Sequence, residues 1–282
     1  MISFRMSKLL PAAGRKAVVA AATAGVVAVA LVASSASGAG QRPTVKKPTI
    51  VLVHGAFADA SSWNGVVKHL KRDGYPVIAP ANPLRNLQSD AEYVRSVVDS
   101  VSGPVVVVGH SYGGSVLSEA VAGDRDVKAL VFVASFMLKP GESTTDLSGK
   151  FPGNVLAVSL DEVPFPMPGG GSGTDLYVQQ RKFGAVFAPD VPRDIADVMA
   201  ATQRPVTAAA LNGQATKAAW TGIPSWNMIA TDDLAIPVKA QRYMAERAGA
   251  HTVEIKASHA VTVSRPQAVA SLIDRAARST SR

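Results

Sequence analysis

Residues 105–114, Val-Val-Val-Val-Gly-His-Ser-Tyr-Gly-Gly, decide how the rest of the chain is read. Four β-branched residues in a row predict a strand buried on both faces. Gly109-His110-Ser111-Tyr112-Gly113 fits the G-x-S-x-G elbow, and Ser115 to Ala122 continues as a helix. A strand, a sharp turn carrying serine and a helix lift one hydroxyl above the carboxyl edge of a sheet. The two glycines are required because a side chain at either would collide with the neighbouring strand and helix. Chance alone places this pattern in about one chain in ten of this length, so its weight comes from what surrounds it.

Upstream, Thr49-Ile-Val-Leu-Val53 is a second buried run, ending at His54-Gly55. Trp63 to Arg72 has helical spacing closed by Gly74, and Pro76 to Ala79 is a short strand. Ser89 to Val101 reads as a helix with Ser89 at its N-cap. Downstream, Val127 to Val133 is a strand, as are Ser225 to Ala230 and Thr252 to Ile255, with helices over Pro237 to Ala248 and Pro266 to Ala277. Repeated βα units predict a parallel sheet with helices on both faces. Between them, residues 136–203 lose regularity, including Pro164-Phe-Pro-Met-Pro-Gly-Gly-Gly-Ser-Gly173. This stretch is expected to be an inserted cap above the carboxyl edge, where open sheets bind ligands.

The first forty residues stand apart. Arg5, Lys8, Arg15 and Lys16 precede an apolar run from Ala17 to Val32, followed by small residues up to Gly40. That layout predicts a bacterial secretory signal, cleaved to leave a linker at 41–47 and one domain at 48–282. The alternative is an uncleaved anchor, for which the run is short of the roughly 20 residues a span needs. The chain is expected to act outside the cytoplasm, in the cell envelope or medium, without stable membrane association after cleavage. Of 29 Lys and Arg residues, four lie in this leader, so 25 positive side chains face 21 negative ones and the mature charge is +4. That balance, with no basic run carrying interleaved aromatics, calls for no nucleic acid. With no cysteine, the chain has neither disulfides nor a thiolate nucleophile.

A serine hydroxyl near neutral pH needs a base, and the base needs a carboxylate to fix its tautomer. His69 lies on a helix and His251 opens a strand, while His54 and His110 precede or enter loops at strand ends and are read as loop-positioning residues. His259, in Ala257-Ser-His-Ala260 after the last strand, can reach the elbow and is the expected base. The acid should follow the preceding strand, where Asp232 and Asp233 both stand. The order Ser, Asp, His suits an elbow in mid-sheet. Oxyanion donors are expected from the amide of Tyr112, after the nucleophile, and from the His54-Gly-Ala-Phe57 loop, with Ala56 first and Phe57 second.

With these residues in place, the chain resembles the α/β-hydrolase superfamily over about residues 48–278, through Val51-Leu-Val-His-Gly55, Gly109-His-Ser-Tyr-Gly-Gly114, Asp233-Leu-Ala-Ile-Pro237 and Ser258-His259. It is similar to small single-domain members related to plant methyl-ester esterases, hydroxynitrile lyases and bacterial carboxylesterases. The resemblance implies an α/β-hydrolase fold with a mainly parallel sheet of about six strands, since residue 48 leaves no room for earlier antiparallel strands. It implies Ser111 as nucleophile, Asp233 rather than Asp232 as acid, His259 as base, and Ala56 and Tyr112 as oxyanion donors. Cyanohydrin lyases of this kind place threonine and lysine where this chain has Gly55 and Ala260, which favours ester hydrolysis.

The expected activity is cleavage of small or medium apolar acyl or aryl esters through an acyl-enzyme, without metal or cofactor. Phe57, Phe136 and Met137 are candidate substrate contacts, with Leu138, Phe151, Phe165, Met167, Phe183 and Phe187 as further candidates to line the cap. Two rival readings use the same residues: cofactor-free perhydrolase or haloperoxidase chemistry, and a non-catalytic small-molecule-binding member of the fold.

Overall fold

The computed structural model describes residues 47–279; the leader at 1–40 and all but Lys47 of the 41–47 linker lie outside the described residues. Strands β1 (Thr49–Val53), β2 (Val77–Ile78), β3 (Val105–Ser111) and β4 (Val127–Ser135) occupy the first half of the domain. Strands β5 (Leu160–Pro166), β6 (Ser172–Val178) and β7 (Val206–Thr207) come next, then β8 (Ser225–Ala230) and β9 (His251–Ile255). The helices are α1 (Asn64–Arg72), α2 (Leu87–Asp99), α3 (Tyr112–Ala120), α4 (Thr144–Gly149), α5 (Gln180–Val186), α6 (Arg193–Thr202), α7 (Ala208–Asn212), α8 (Val238–Arg247), α9 (Val261–Ser264) and α10 (Pro266–Ser279). Among the described residues no helix is long and apolar enough to cross a membrane.

Six strands form one sheet in the order β2-β1-β3-β4-β8-β9, every pair parallel. The elbow strand β3 therefore sits inside the sheet, as the valine run requires. Its side chains alternate between two cores. Val105 and Val107 join one with Val51, Val53, Leu87, Val94, Val116 and Leu117. Val106 and Val108 join the other with Ile50, Leu52, Trp63, Leu70, Leu272 and Ile273. Helices α2 and α3 thus cover one face, and α1 and α10 the other. Each fully buried valine contributes roughly 1.5–3 kcal/mol relative to exposure, so period two and apolarity on both faces together hold this strand central.

The glycines of the elbow do what the motif requires. A Cβ on Gly113 would stand 2.4 Å from the Val53 carbonyl oxygen of β1, and one on Gly109 would stand 2.5 Å from Leu117 Cδ2 and 2.7 Å from the Gly113 backbone. Helix α3 can pack this close to β1 only with hydrogen at position 113. Gly113→Ala is expected to destabilise the domain by about 1–3 kcal/mol, the usual cost of overpacking against a neighbour that cannot swing aside. The urea midpoint should fall at unchanged m-value; an unaltered midpoint would contradict the packing described.

Two local expectations need correction. Helix α2 starts at Leu87 with Asn86 as its cap, the Asn86 carboxamide oxygen accepting from the amides of Gln88 and Ser89. Ser89 is inside the helix because Leu87 is buried and belongs to its first turn. Residues 136–203 are also more regular than their composition suggests. Strands β5 and β6 pair antiparallel from Leu160–Val178 to Pro166–Ser172, and β6 pairs in turn with β7. Pro164 and Pro166 are tolerated because β5 is an edge strand, where a missing N–H can face away from the ladder. Gly169, Gly170 and Gly171 all take positive φ and turn the hairpin.

Candidate active site

The end of β3 presents Ser111 at φ 53° and ψ −125°, a left-handed conformation costly for a residue with a Cβ. The surroundings hold it there. Between His110 and Ser111 the β3–β4 register shifts, leaving Ala134, itself at φ 43°, unpaired in a bulge. The bulge turns Ser135 and Phe136 towards the elbow. Ser135 Oγ donates to the Ser111 carbonyl at 2.7 Å, and the Phe136 amide donates to the same oxygen at 3.3 Å.

Ser111 Oγ lies 2.9 Å from His259 Nε2, and His259 Nδ1 lies 2.8 Å from Asp233 Oδ2. The three residues come from the end of β3, the loop after β8 and the loop after β9, and all are buried. Asp233 Oδ1 is occupied, accepting from the amides of Ala235 at 2.7 Å and Ile236 at 2.9 Å. Oδ2 accepts from Gln241 Nε2 at 2.9 Å as well as from the imidazole. Since a carboxylate only accepts, Nδ1 carries the proton and the lone pair of Nε2 faces the Ser111 hydroxyl. Asp232, the other carboxylate at this position, is exposed, and its amide is bound to the Ala257 carbonyl.

Gln241 belongs to none of the sequence motifs. Its amide nitrogen bridges Asp233 Oδ2 and the Ile236 carbonyl, and its oxygen accepts from the Ala230 amide. It clamps both sides of the acid loop. It stands on the stripe of α8 that also buries Ala240, Met244 and Ala245, and a glutamine on a buried stripe must find partners.

The two other buried histidines brace the site. His110 Nε2 donates to the His259 carbonyl at 2.9 Å. His54 Nε2 accepts from the Asn82 amide at 2.9 Å, and Asn82 Nδ2 donates to the His54 carbonyl at 3.0 Å. With Nε2 an acceptor, His54 Nδ1 bears the proton and donates to the Gly55 carbonyl at 2.9 Å. Burial holds both rings neutral, driving His110 well below the usual imidazole range and His54 from 6.5 to about 4. Between those last two values the unfolded chain binds a proton at His54 that the folded chain refuses. Stability therefore rises with pH across this window: it is fully present above about 6.5 and lost as pH falls towards 4. For His54 alone the full span is worth ~3 kcal/mol, and His110 adds in the same direction. Urea midpoints at about pH 7 and about pH 4.5, on either side of most of this window, should differ accordingly; equal midpoints would contradict neutral burial of these rings.

The loop after β1 presses on the elbow: a Cβ on Gly55 would fall 2.6 Å from Ser111 Cβ and 2.8 Å from the His110 carbonyl oxygen. Ala56 comes next and is buried, and Phe57 turns the loop at φ 60°. Tyr112 opens α3, where a first-turn amide has no partner within the helix. Its phenol donates to Asp90 Oδ2 on α2 at 2.9 Å, which fixes the residue. Asp90 also accepts from the Arg85 amide, although burial raises its pKa.

Of the candidate substrate contacts, Phe57 meets the ring of Phe187 edge-on at 6.5 Å, and Phe187 meets the His259 ring edge-on at 4.9 Å. Phe136 touches the elbow through its backbone. Met137 does not join this group: its amide points to Met244 Sδ on α8. Phe183 stacks on Phe187, whereas Phe151 packs on Tyr243, Phe165 lies beneath Arg85 and Met167 is exposed.

Comparison with known proteins agrees with this architecture. The model of the alpha/beta hydrolase family matches residues 50–272. An alpha/beta hydrolase of Aspergillus novofumigatus is 29% identical over 255 residues, covering 82% of this chain and 97% of that protein. A pyrethroid hydrolase of Sphingobium wenxiniae is 28% identical over 247 residues, 79% of this chain and 85% of that one. Among solved structures, polyneuridine aldehyde esterase superposes with a TM-score of 0.69 at 21% identity, covering 81% of this chain and 99% of its own.

Proposed function

Because the chain belongs to the alpha/beta hydrolase family, we propose that it is a serine hydrolase acting on carboxylic esters of small to medium apolar groups through an acyl-enzyme. The observation that carries this reading is the continuous relay from Ser111 Oγ through His259 to Asp233, at 2.9 Å and 2.8 Å. Names borne by similar proteins, a pyrethroid hydrolase and an esterase, support the same substrate class.

Ser111 Oγ attacks the ester carbonyl while its proton passes to His259 Nε2. The carbonyl π electrons move onto oxygen, where the amides of Ala56 and Tyr112 receive the charge. Collapse breaks the bond to the alkoxy oxygen, which takes the proton from Nε2 and leaves as the alcohol. Water then gives a proton to Nε2, attacks the acyl carbon and releases the acid, and Ser111 recovers its proton. Asp233 stays ionised and stabilises the imidazolium formed in each half.

A fluorophosphonate probe with intact-mass measurement, run beside p-nitrophenyl butyrate turnover, tests the proposal. One equivalent of adduct and sustained turnover are expected for the wild type, and neither for Ser111→Ala. Wild-type turnover no higher than that of Ser111→Ala would remove the esterase.

A further inference from the structure

The relay is nearly closed to solvent: Ser111 is 6% and His259 1% exposed. An ester must therefore reach it past something that covers it. The cover over the base is aromatic. Phe187, just beyond α5, meets the His259 ring edge-on, and Phe57, at the turn of the loop after β1, meets Phe187 edge-on in turn. The Phe187 carbonyl also accepts from the Ala260 amide at 3.1 Å, so this piece of the cap is tied to the loop bearing the base.

Phe57 also lines a groove of about 280 Å³. It is lined by the segment from Phe57 to Gly65, by Ile195, Val198 and Met199 of α6, and by Val263. Ile195 and Val198 are 43% and 62% exposed, unusual for large aliphatic side chains on the solvent side of an amphipathic helix. The groove shares Phe57 with the aromatic pair over the base, so the two rings of Phe57 and Phe187 lead from it to the imidazole. Its volume sits at the lower edge of the range for ligand pockets, roughly 300–1,000 Å³, which suits one arm of a small ester and not a polymer.

We propose that this groove seats the apolar arm of the ester, with Phe57 and Phe187 as the door between it and Ser111, so that Ile195, Val198 and Met199 set the preferred arm length. The seat rests on the esterase reading and specifies its substrate: an ester with one aliphatic or aryl arm long enough to leave the serine, pass the two rings and lie along α6. An acetate of a small alcohol does not reach the groove and gains nothing from it.

The test uses Val198→Asp and Ile195→Asp, which alter exposed positions outside the relay. In wild-type protein, kcat/KM should climb along two homologous series, p-nitrophenyl esters from acetate to octanoate and alkyl butyrates from methyl to octyl, in whichever series extends the arm lying in the groove. In the variants kcat/KM for the longest member should fall about tenfold or more, the scale set by a few methylene contacts. Turnover of p-nitrophenyl acetate and the rate of fluorophosphonate labelling should stay at wild-type values. Variants that label normally and keep the wild-type length profile in both series overturn the groove while leaving the esterase intact. Loss of acetate and octanoate turnover in equal proportion overturns it as well. A wild-type protein that neither labels nor turns over any ester overturns the esterase reading instead. The groove is then read without chemistry: Ser111→Ala protein should bind 2-tridecanone more tightly than the Ser111→Ala, Val198→Asp double variant, and equal binding refutes the seat.

Discussion

Replacing His259 with alanine should lower kcat for p-nitrophenyl butyrate by on the order of 10⁵–10⁶, with KM close to its wild-type value. The size comes from what the ring does. Its Nε2 lies 2.9 Å from Ser111 Oγ, and neither His54 nor His110 can replace it, since the Nε2 of each is already bonded elsewhere and burial keeps both rings neutral. Without it the hydroxyl keeps its proton, and the leaving alkoxide has no acid. The fold should survive, since His110 is anchored on the carbonyl of residue 259, which alanine retains. Members of such a relay act as a unit, so removing Ser111 and His259 together should cost no more than removing either alone. A single variant within about tenfold of wild type, or a double variant whose loss is the product of the two, would mean that the imidazole does not take the serine's proton. Circular dichroism and an unchanged urea midpoint separate that outcome from misfolding.

The parts legible from sequence were those in which one physical demand decides the residue type. A strand buried on both faces must be apolar throughout, so β1, β3 and β8 stood out, and Ser225–Ala230 has the limits its composition predicts. An elbow must have glycine where α3 meets β1, and Gly113 does. The order of serine, acid and base along a parallel sheet led to Ser111, His259 and the pair Asp232 and Asp233, of which the family resemblance singled out Asp233; the fold brings Ser111, His259 and Asp233 within hydrogen-bonding distance. What stayed hidden depends on partners far away in sequence. The β5–β6 hairpin carries two prolines and a run of glycines that argue against a strand until the edge position of β5 is known. Ser135 and Asn82 are ordinary polar residues whose importance lies in one backbone carbonyl each, Ser111 and His54. Gln241 left a trace in its position on a buried helical stripe, but nothing local names Asp233 as its partner.

Exchanging Asp233 for asparagine should lower kcat by about 10⁴, whereas the same exchange at Asp232 should leave turnover near wild type. The contrast tests how the acid works. At position 233 the amides of Ala235 and Ile236 both donate to Oδ1, so an asparagine would place its own oxygen there. Its NH₂ would then occupy the site of Oδ2 and face two donors, His259 Nδ1 and Gln241 Nε2. Gln241 has its nitrogen held by the Ile236 carbonyl and its oxygen by the Ala230 amide, so it cannot turn over to accept. The imidazole is left to relieve the clash. It gives up the proton on Nδ1 and carries it on Nε2, which now points an N–H at the serine in place of a lone pair. The side chain at 233 keeps its shape and most of its hydrogen bonds, and the base faces the nucleophile in the wrong tautomer. At position 232 the side chain is exposed and, among the described residues, the hydrogen bond is made by its backbone, to the Ala257 carbonyl, so asparagine changes a solvated charge that makes no contact with the ring. A greater loss at 232 than at 233 would show that the relay seen here is not the one that works in solution.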